Sequence, residues 1–460
     1  MRAEGRRDTR RQPRFSVTRR NGAFAACPVV IWIVAALTAL CDPAPSVAGK
    51  AIHFLLAEKY PDFISLLSPL AKTKLTPDFL RGQVGAEIKS FGTSGSVGSP
   101  VTAQDGGNTL ISFPVKFEHG TVNFQFTVNG AGQIAGLYLR PAAAPLPALW
   151  KRPAYSTPGS FVEHQIWVGS EPWKLGGTLT VPVGKGPFPG VVLVHGPGPL
   201  DRDEAIASNR IFRDIAEGLS SRGIAVLRYD KRSKIYGEKM SEMDFTLNDE
   251  TVDDAVKAVA LLRARPEIDA ARVFVLGHSL GGYASPRIAA KDGRLAGLIF
   301  LAANARPIED VSLESNEYLV HMGTNPPPEV LKRLEDLRAE VTKVKQLQPG
   351  KANPPVVMGL PCAYLLDLKG YDPAAQIKRM PMPVLVLQGE RDFQVTMKDF
   401  GIWKGAFASR QNAVFHSYPA LNHLFMTGTS KSSPSEYRKA GNVDGAVIAD
   451  IAAFVQGGRH

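Results

Sequence analysis

Residues 272–283, Arg-Val-Phe-Val-Leu-Gly-His-Ser-Leu-Gly-Gly-Tyr, constrain this chain more than any other stretch. Val273 to Leu276 reads as a short buried strand, and Tyr283 to Ala290 begins a helix. Between them, Gly277-His278-Ser279-Leu280-Gly281 is a G-x-S-x-G pattern. Strand, sharp turn and helix together are the setting of a nucleophile elbow, which lifts a serine above a sheet. The serine there sits at a strained backbone position. Side chains two residues to either side would collide with the neighbouring strand and helix, so Gly277 and Gly281 suit the turn. The pattern alone is weak, since Gly92-Thr93-Ser94-Gly95-Ser96 nearly matches it. The plain alternative is a glycine-rich turn whose serine only caps the helix.

Around this stretch, strands alternate with helices. Phe161 to Val168 and Leu175 to Val183 read as antiparallel-type strands. Val191–Val194, Ile224–Leu227, Leu295–Leu301, Pro383–Leu387 and Ala413–Phe415 are short apolar runs. Ile211 to Arg222, Thr251 to Arg263 and Val443 to Phe454 read as helices. Fully apolar strands between helices predict an α/β fold with a mostly parallel sheet covered on both faces. Residues 304–380 interrupt the rhythm. Val330, Leu334, Leu337, Val341 and Val344 recur at helical steps there, so a helical insertion is expected above the carboxyl edge of the sheet, as a lid or pocket wall.

Residues 49–140 read as a separate small α+β domain, helices first and then a meander. Thr109 to Phe117 and Thr121 to Val128 alternate around a Glu118-His119-Gly120 turn, and a Gly/Ser loop spans 92–100. His53 and His119 stand singly and read as surface or turn residues. Residues 141–158, rich in proline, read as a linker. The domain with the serine then runs 159–460, with the lid at about 304–380.

The first 48 residues carry eight arginines and three acids, followed by an almost wholly apolar run from Ala23 to Leu40 and by Ser46-Val47-Ala48. Basic region, apolar region and small-x-small site predict a secretory signal cut after Ala48, hence export to the periplasm, envelope or medium. An uncleaved membrane anchor is the rival reading. Much of the net charge of +11 belongs to this arm, and the balance left on the rest gives no case for a nucleic-acid partner. A membrane or envelope association is compatible with it. Cys27 and Cys41 lie in the arm, so Cys362 would be the single mature cysteine and no internal disulfide is expected. Neither a P-loop nor G-x-G-x-x-G nor H-E-x-x-H occurs, so no metal and no cofactor is expected.

A serine hydroxyl needs a base within hydrogen-bond reach, and the base needs an acid to hold its tautomer. In folds built on such an elbow, acid and histidine follow the serine in that order. Gln388-Gly389-Glu390-Arg391-Asp392 follows a late strand and offers Asp392, with Glu390 as the alternative. Leu421-Asn422-His423 follows the last strand and offers His423. His416, inside that strand, and His278, beside the serine, fit worse. An oxyanion needs two backbone donors. Leu280 supplies one N–H. The second is expected from His195-Gly196-Pro197-Gly198, where Pro197 has none, leaving Gly196 or Gly198. Asp201-Arg202-Asp203-Glu204 and Asp230-Lys231-Arg232 read first as a structural ion-pair network and second as substrate contacts.

Five motifs, in chain order Val194–Glu204, Arg228–Arg232, Gly277–Gly282, Gln388–Val395 and Leu421–Phe425, make the chain over about 159–460 resemble the α/β-hydrolase superfamily. It is most similar to bacterial secreted or envelope esterases that pair a small N-terminal domain of unknown function with a hydrolase domain. The resemblance implies a Ser279/Asp392/His423 triad acting on small-molecule carboxylic esters through an acyl-enzyme. Pro197 and Ser233 depart from the family's usual pattern. Pro197 favours a second reading, a binding or scaffold protein on a degenerate hydrolase domain. A peptidase or acyltransferase on the same triad is a third.

Overall fold

The computed structural model describes residues 44–105, 108–141, 150–323 and 325–457. The arginine-rich start, the apolar run 23–40, Cys27, Cys41 and the first part of the linker lie outside the described residues.

The small domain opens with α1 (Ala44–Leu56), α2 (Tyr60–Ser65) and α3 (Pro69–Lys74), then a helical stretch over 77–90. Periodicity reads Ala51 to Leu70 as one helix. Pro61 and Pro69 divide it, because proline suits a first turn and lacks the N–H that an interior position needs. Five strands follow: β1 (Ser94–Val97), β2 (Val101–Asp105), β3 (Asn108–Phe117), β4 (Gly120–Val128) and β5 (Ile134–Pro141). β1 falls where a loop is expected. Its Ser-Gly-Ser carries no strand propensity, and pairing with β3 holds it extended. β3 and β4 form the expected hairpin, with Phe117 opposite Gly120. Their alternate residues, Ile111, Phe113 and Val115 with Phe124 and Phe126, bury against Ala48, Ile52 and Leu55 of α1. The boundary read after Ala48 therefore falls inside a helix, at a residue with no exposed surface.

The second part of the linker lies on the next domain. Arg152 and Ser156 bond Glu217, Trp150 Nε1 donates to Asp214 at 2.8 Å, and the Tyr155 hydroxyl donates to the Val443 carbonyl.

The large domain runs β6 (Phe161–Val168), β7 (Leu175–Pro182), β8 (Phe188–Val194), α4 (Ile211–Ser220), β9 (Ala225–Tyr229), α5 (Gly237–Ser241), α6 (Asp253–Arg263), β10 (Ile268–His278), α7 (Leu280–Asp292) and β11 (Gly297–Leu301). The insertion holds α8 (Ile308–His321), α9 (Pro328–Gln346), a pair of two-residue strands and α10 (Cys362–Leu368). The fold closes with β12 (Val384–Gly389), α11 (Met397–Ala406), β13 (Ala413–Tyr418) and α12 (Gly445–Gln456). One eight-stranded sheet results, in the order β13-β12-β11-β10-β8-β9-β7-β6. β9 to β13 run parallel with β8, and β7 and β6 add an antiparallel edge. Each central strand is apolar on both sides because helices cover both faces. Val191 and Leu193 of β8 pack with α4 and α12; Val192 and Val194 pack with α6 and α7. In α9 the predicted stripe is inward, with Leu334, Val341 and Val344 buried.

Candidate active site

β10 lies between β8 and β11, with Gly277 opposite Val194 and His278 opposite Leu301. The chain leaves it at the carboxyl edge and turns at Ser279, whose φ of 51° and ψ of −118° are unfavourable for a residue with a Cβ. Such a conformation costs about 1–3 kcal/mol and persists where surrounding contacts over-determine it. Here Ser279 N donates to the Leu301 carbonyl at 2.9 Å, and the turn admits no larger residues. A Cβ on Gly277 would lie 2.4 Å from the Gly281 carbonyl, and one on Gly281 would lie 2.1 Å from the Val194 carbonyl oxygen. The Ser279 side chain makes no capping hydrogen bond to α7, which sets the capping alternative aside.

Two later strands deliver the acid and the imidazole to this edge. Asp392, in the loop after β12, is buried, and its Oδ2 lies 2.6 Å from His423 Nδ1. Its other oxygen accepts the N–H groups of Gln394 and Val395, at 2.8 and 3.0 Å, and Gln388 Nε2 donates to Oδ2. Both carboxylate oxygens are thereby fixed. Glu390, the alternative acid, is exposed and accepts from the Ser417 hydroxyl instead. His423 follows β13 in a loop tied by Asn422, which accepts from the N–H groups of Leu424 and Met426.

The loop after β8 corrects one expectation. The Gly196 N–H donates to Glu204 Oε1 at 2.7 Å, and the Gly196 carbonyl accepts from Lys231 Nζ at 2.9 Å. Its peptide is engaged on both sides, so Gly196 is not a spare donor for an oxyanion. Gly198, with φ of +95°, lines the cavity in front of Ser279, as do Leu280 and Pro197.

The acidic and basic loops form a structural network. Arg202 pairs with Asp230, Arg228 with Glu163 and Asp203, Lys231 with Glu250, and Arg232 with Asp254. Glu204 goes to the site itself. Its Oε2 lies 3.1 Å from His278 Nδ1, both side chains are buried, and neither atom has another hydrogen-bond partner. His278 Nε2 meets the His423 carbonyl oxygen at 3.1 Å, and the two rings lie 4.8 Å apart. Burial alone would push the His278 imidazole down; the Glu204 carboxylate outweighs it and holds the imidazole above its usual range. Burial would raise Glu204; His278 outweighs that and holds it low. His195, buried on Phe212 and Tyr229, is pushed down to about 4 by burial. The residue beside the serine thus joins the loop after β8 to the loop after β13. The sequence shows His278 beside the serine and Glu204 in an acidic loop but not their pairing, because nothing in the spacing relates residues so far apart in the chain.

In front of Ser279 opens a cavity of about 590 Å³. The insertion supplies one wall through Ile308, Val311 and Leu365, as an insertion at this edge should, and Phe245 and Tyr364 add aromatic surface. Among the described residues no group of His, Cys, Asp and Glu could hold a metal ion.

Residues 191–440 match the model of the alpha/beta hydrolase family. The chain is 37% identical over 408 residues to Esterase EstD of Thermotoga maritima, covering 88% of this chain and 93% of that one. Among solved structures it is similar to Est1E from Butyrivibrio proteoclasticus, at 17% identity over 64% of this chain and 98% of that one, with a TM-score of 0.41. A puromycin-hydrolyzing peptidase of Mycobacterium tuberculosis matches at 17% identity over 77% of this chain and 46% of that one, with a TM-score of 0.40.

Proposed function

The chain belongs to the alpha/beta hydrolase family, and we propose that this protein is a serine esterase whose catalytic residues are Ser279, His423 and Asp392. Ser279 Oγ attacks the ester carbonyl carbon while His423 takes its proton. The tetrahedral oxyanion is received by the N–H groups of Leu280 and Gly198. Collapse expels the alcohol, which leaves with the proton from His423, and a water molecule then releases the acid by the same steps in reverse. Asp392 holds the imidazole with Nδ1 protonated, so that Nε2 is the free base.

The observation that carries this reading is the buried 2.6 Å contact between His423 and Asp392 at the sheet edge where Ser279 is held strained. Pro197 is compatible with it. Gly196, before Pro197, is already held through its N–H by Glu204 and through its carbonyl by Lys231, and Gly198, beyond Pro197, lines the cavity. The 37% identity to a named esterase supports the ester as substrate class.

The test is hydrolysis of p-nitrophenyl esters together with labelling by a fluorophosphonate. Wild-type protein is expected to turn over and to be labelled once, at Ser279; Ser279→Ala is expected to lose both. Equal turnover by the two proteins would exclude Ser279 as nucleophile, and absence of turnover and labelling in wild type would favour a binding module.

A further inference from the structure

The cavity in front of Ser279 is not built by the hydrolase domain alone. Leu70, Thr73 and Lys74, all from α3 of the small domain, line it together with Ser279. α3 has only six residues, so its position depends on what it is fastened to. At its start Ser68 is buried and accepts the Ala71 N–H, while Ser68 N donates to the Ile134 carbonyl at 2.9 Å and Ile134 N donates to Leu66. The helix is therefore hung from the first residue of β5. Its outer side meets α5 of the hydrolase domain. Gly237 opens α5, and a Cβ there would lie 3.3 Å from Leu70 Cδ2. Beside this contact Asn129 Nδ2 donates to Glu238 Oε1 at 2.5 Å. Leu70 is half-buried, with its other surroundings in the cavity, and Thr73 is exposed.

We propose that α3 is a wall of the substrate pocket, and that the small domain sets which esters the enzyme accepts. Leu70 and Thr73 face the part of the substrate remote from the reacting carbonyl. Ile308 and Val311 of α8 line the same cavity as Leu70, so apolar side chains from both domains border the space. An extended apolar acyl chain fits such a space, since it buries hydrocarbon against hydrocarbon and asks for no polar partner. The substrate class is esters of medium-chain fatty acids rather than of acetate. This rests on the esterase reading above and goes beyond it, by assigning a task to a domain that holds none of the reacting groups.

The experiment measures kcat/KM for p-nitrophenyl octanoate and p-nitrophenyl acetate with Leu70→Trp, Thr73→Phe and Leu70→Ala, each checked for folding by its thermal melt. Filling the wall with Trp or Phe is expected to lower the octanoate-to-acetate ratio by about tenfold or more, the effect of a methylene-sized misfit or larger in an apolar pocket. Leu70→Ala, which widens the pocket, is expected to move the optimum towards longer chains, read as a higher kcat/KM for p-nitrophenyl dodecanoate relative to octanoate. Ratios and optimum equal to wild type in all three would overturn the proposal. Hydrolysis of neither ester by wild type would instead overturn the esterase reading, and the proposal with it.

Discussion

Asp392 accepts from Gln388, Gln394 and Val395 and still places Oδ2 against His423. A carboxylate so held orients the imidazole without needing to take its proton. Asp392→Asn keeps the shape and replaces the oxygen that faces Nδ1 or its neighbour with an amide, which favours the wrong tautomer. Its kcat is expected to fall by about 10⁴, with KM nearly unchanged. Glu390→Gln, two residues earlier and exposed, is expected to retain the wild-type rate. Steady-state kinetics on a single p-nitrophenyl ester compares the two, and loss of activity in Glu390→Gln with survival in Asp392→Asn would reverse the assignment. The choice between these acids was open in the sequence, because both follow β12 within one turn and only the direction of each side chain separates them.

At the scale of elements, Glu204 and His278 join three loops: the one after β8, the elbow after β10 and the one after β13. Removing one member of a buried pair leaves the other charged and unmatched, at a cost of about 3–5 kcal/mol. Glu204→Gln is therefore expected to be clearly destabilised in urea, and the loss should depend on pH. Glu204 is held low, so its contribution is present above the unfolded carboxylate value and is lost as pH falls through the depressed one. His278 is held high, so its contribution is present below the unfolded imidazole value and is lost as pH rises through the raised one. The other titratable groups that face the pair are His195, Asp392 and His423. The stability gap between wild type and Glu204→Gln should peak at about pH 5–6 and shrink on either side; a gap independent of pH would mean that the pair is not charged. Such links are what the sequence conceals. The strands and the elbow are legible because apolar runs and small residues report local constraints, as Gly277 and Gly281 do. The choice between Gly196 and Gly198 is not legible because the partner of the Gly196 N–H comes from eight residues further on and folds back over it. β1 went unseen because its Ser-Gly-Ser becomes a strand only through β3.

For the molecule as a whole, the N-terminal arm carries the remaining proposal, that this protein is exported. Among the described residues no helix is long and apolar enough to cross a membrane, and the run 23–40 lies outside them. In a bacterial host, deletion of residues 2–40 is expected to shift the protein from the envelope fraction to the cytosol, and N-terminal sequencing of the exported form is expected to begin at Gly49. An unchanged distribution after the deletion would remove the export reading. The place of Ala48 adds a condition of timing. Its methyl group is sealed among Ile52, Leu55 and the aromatic side chains of the small domain. A peptidase needs the chain around its target extended and open. Scission behind Ala48 and closure of that core therefore exclude one another, so export by this route requires the cut to come first, while the chain is still unfolded.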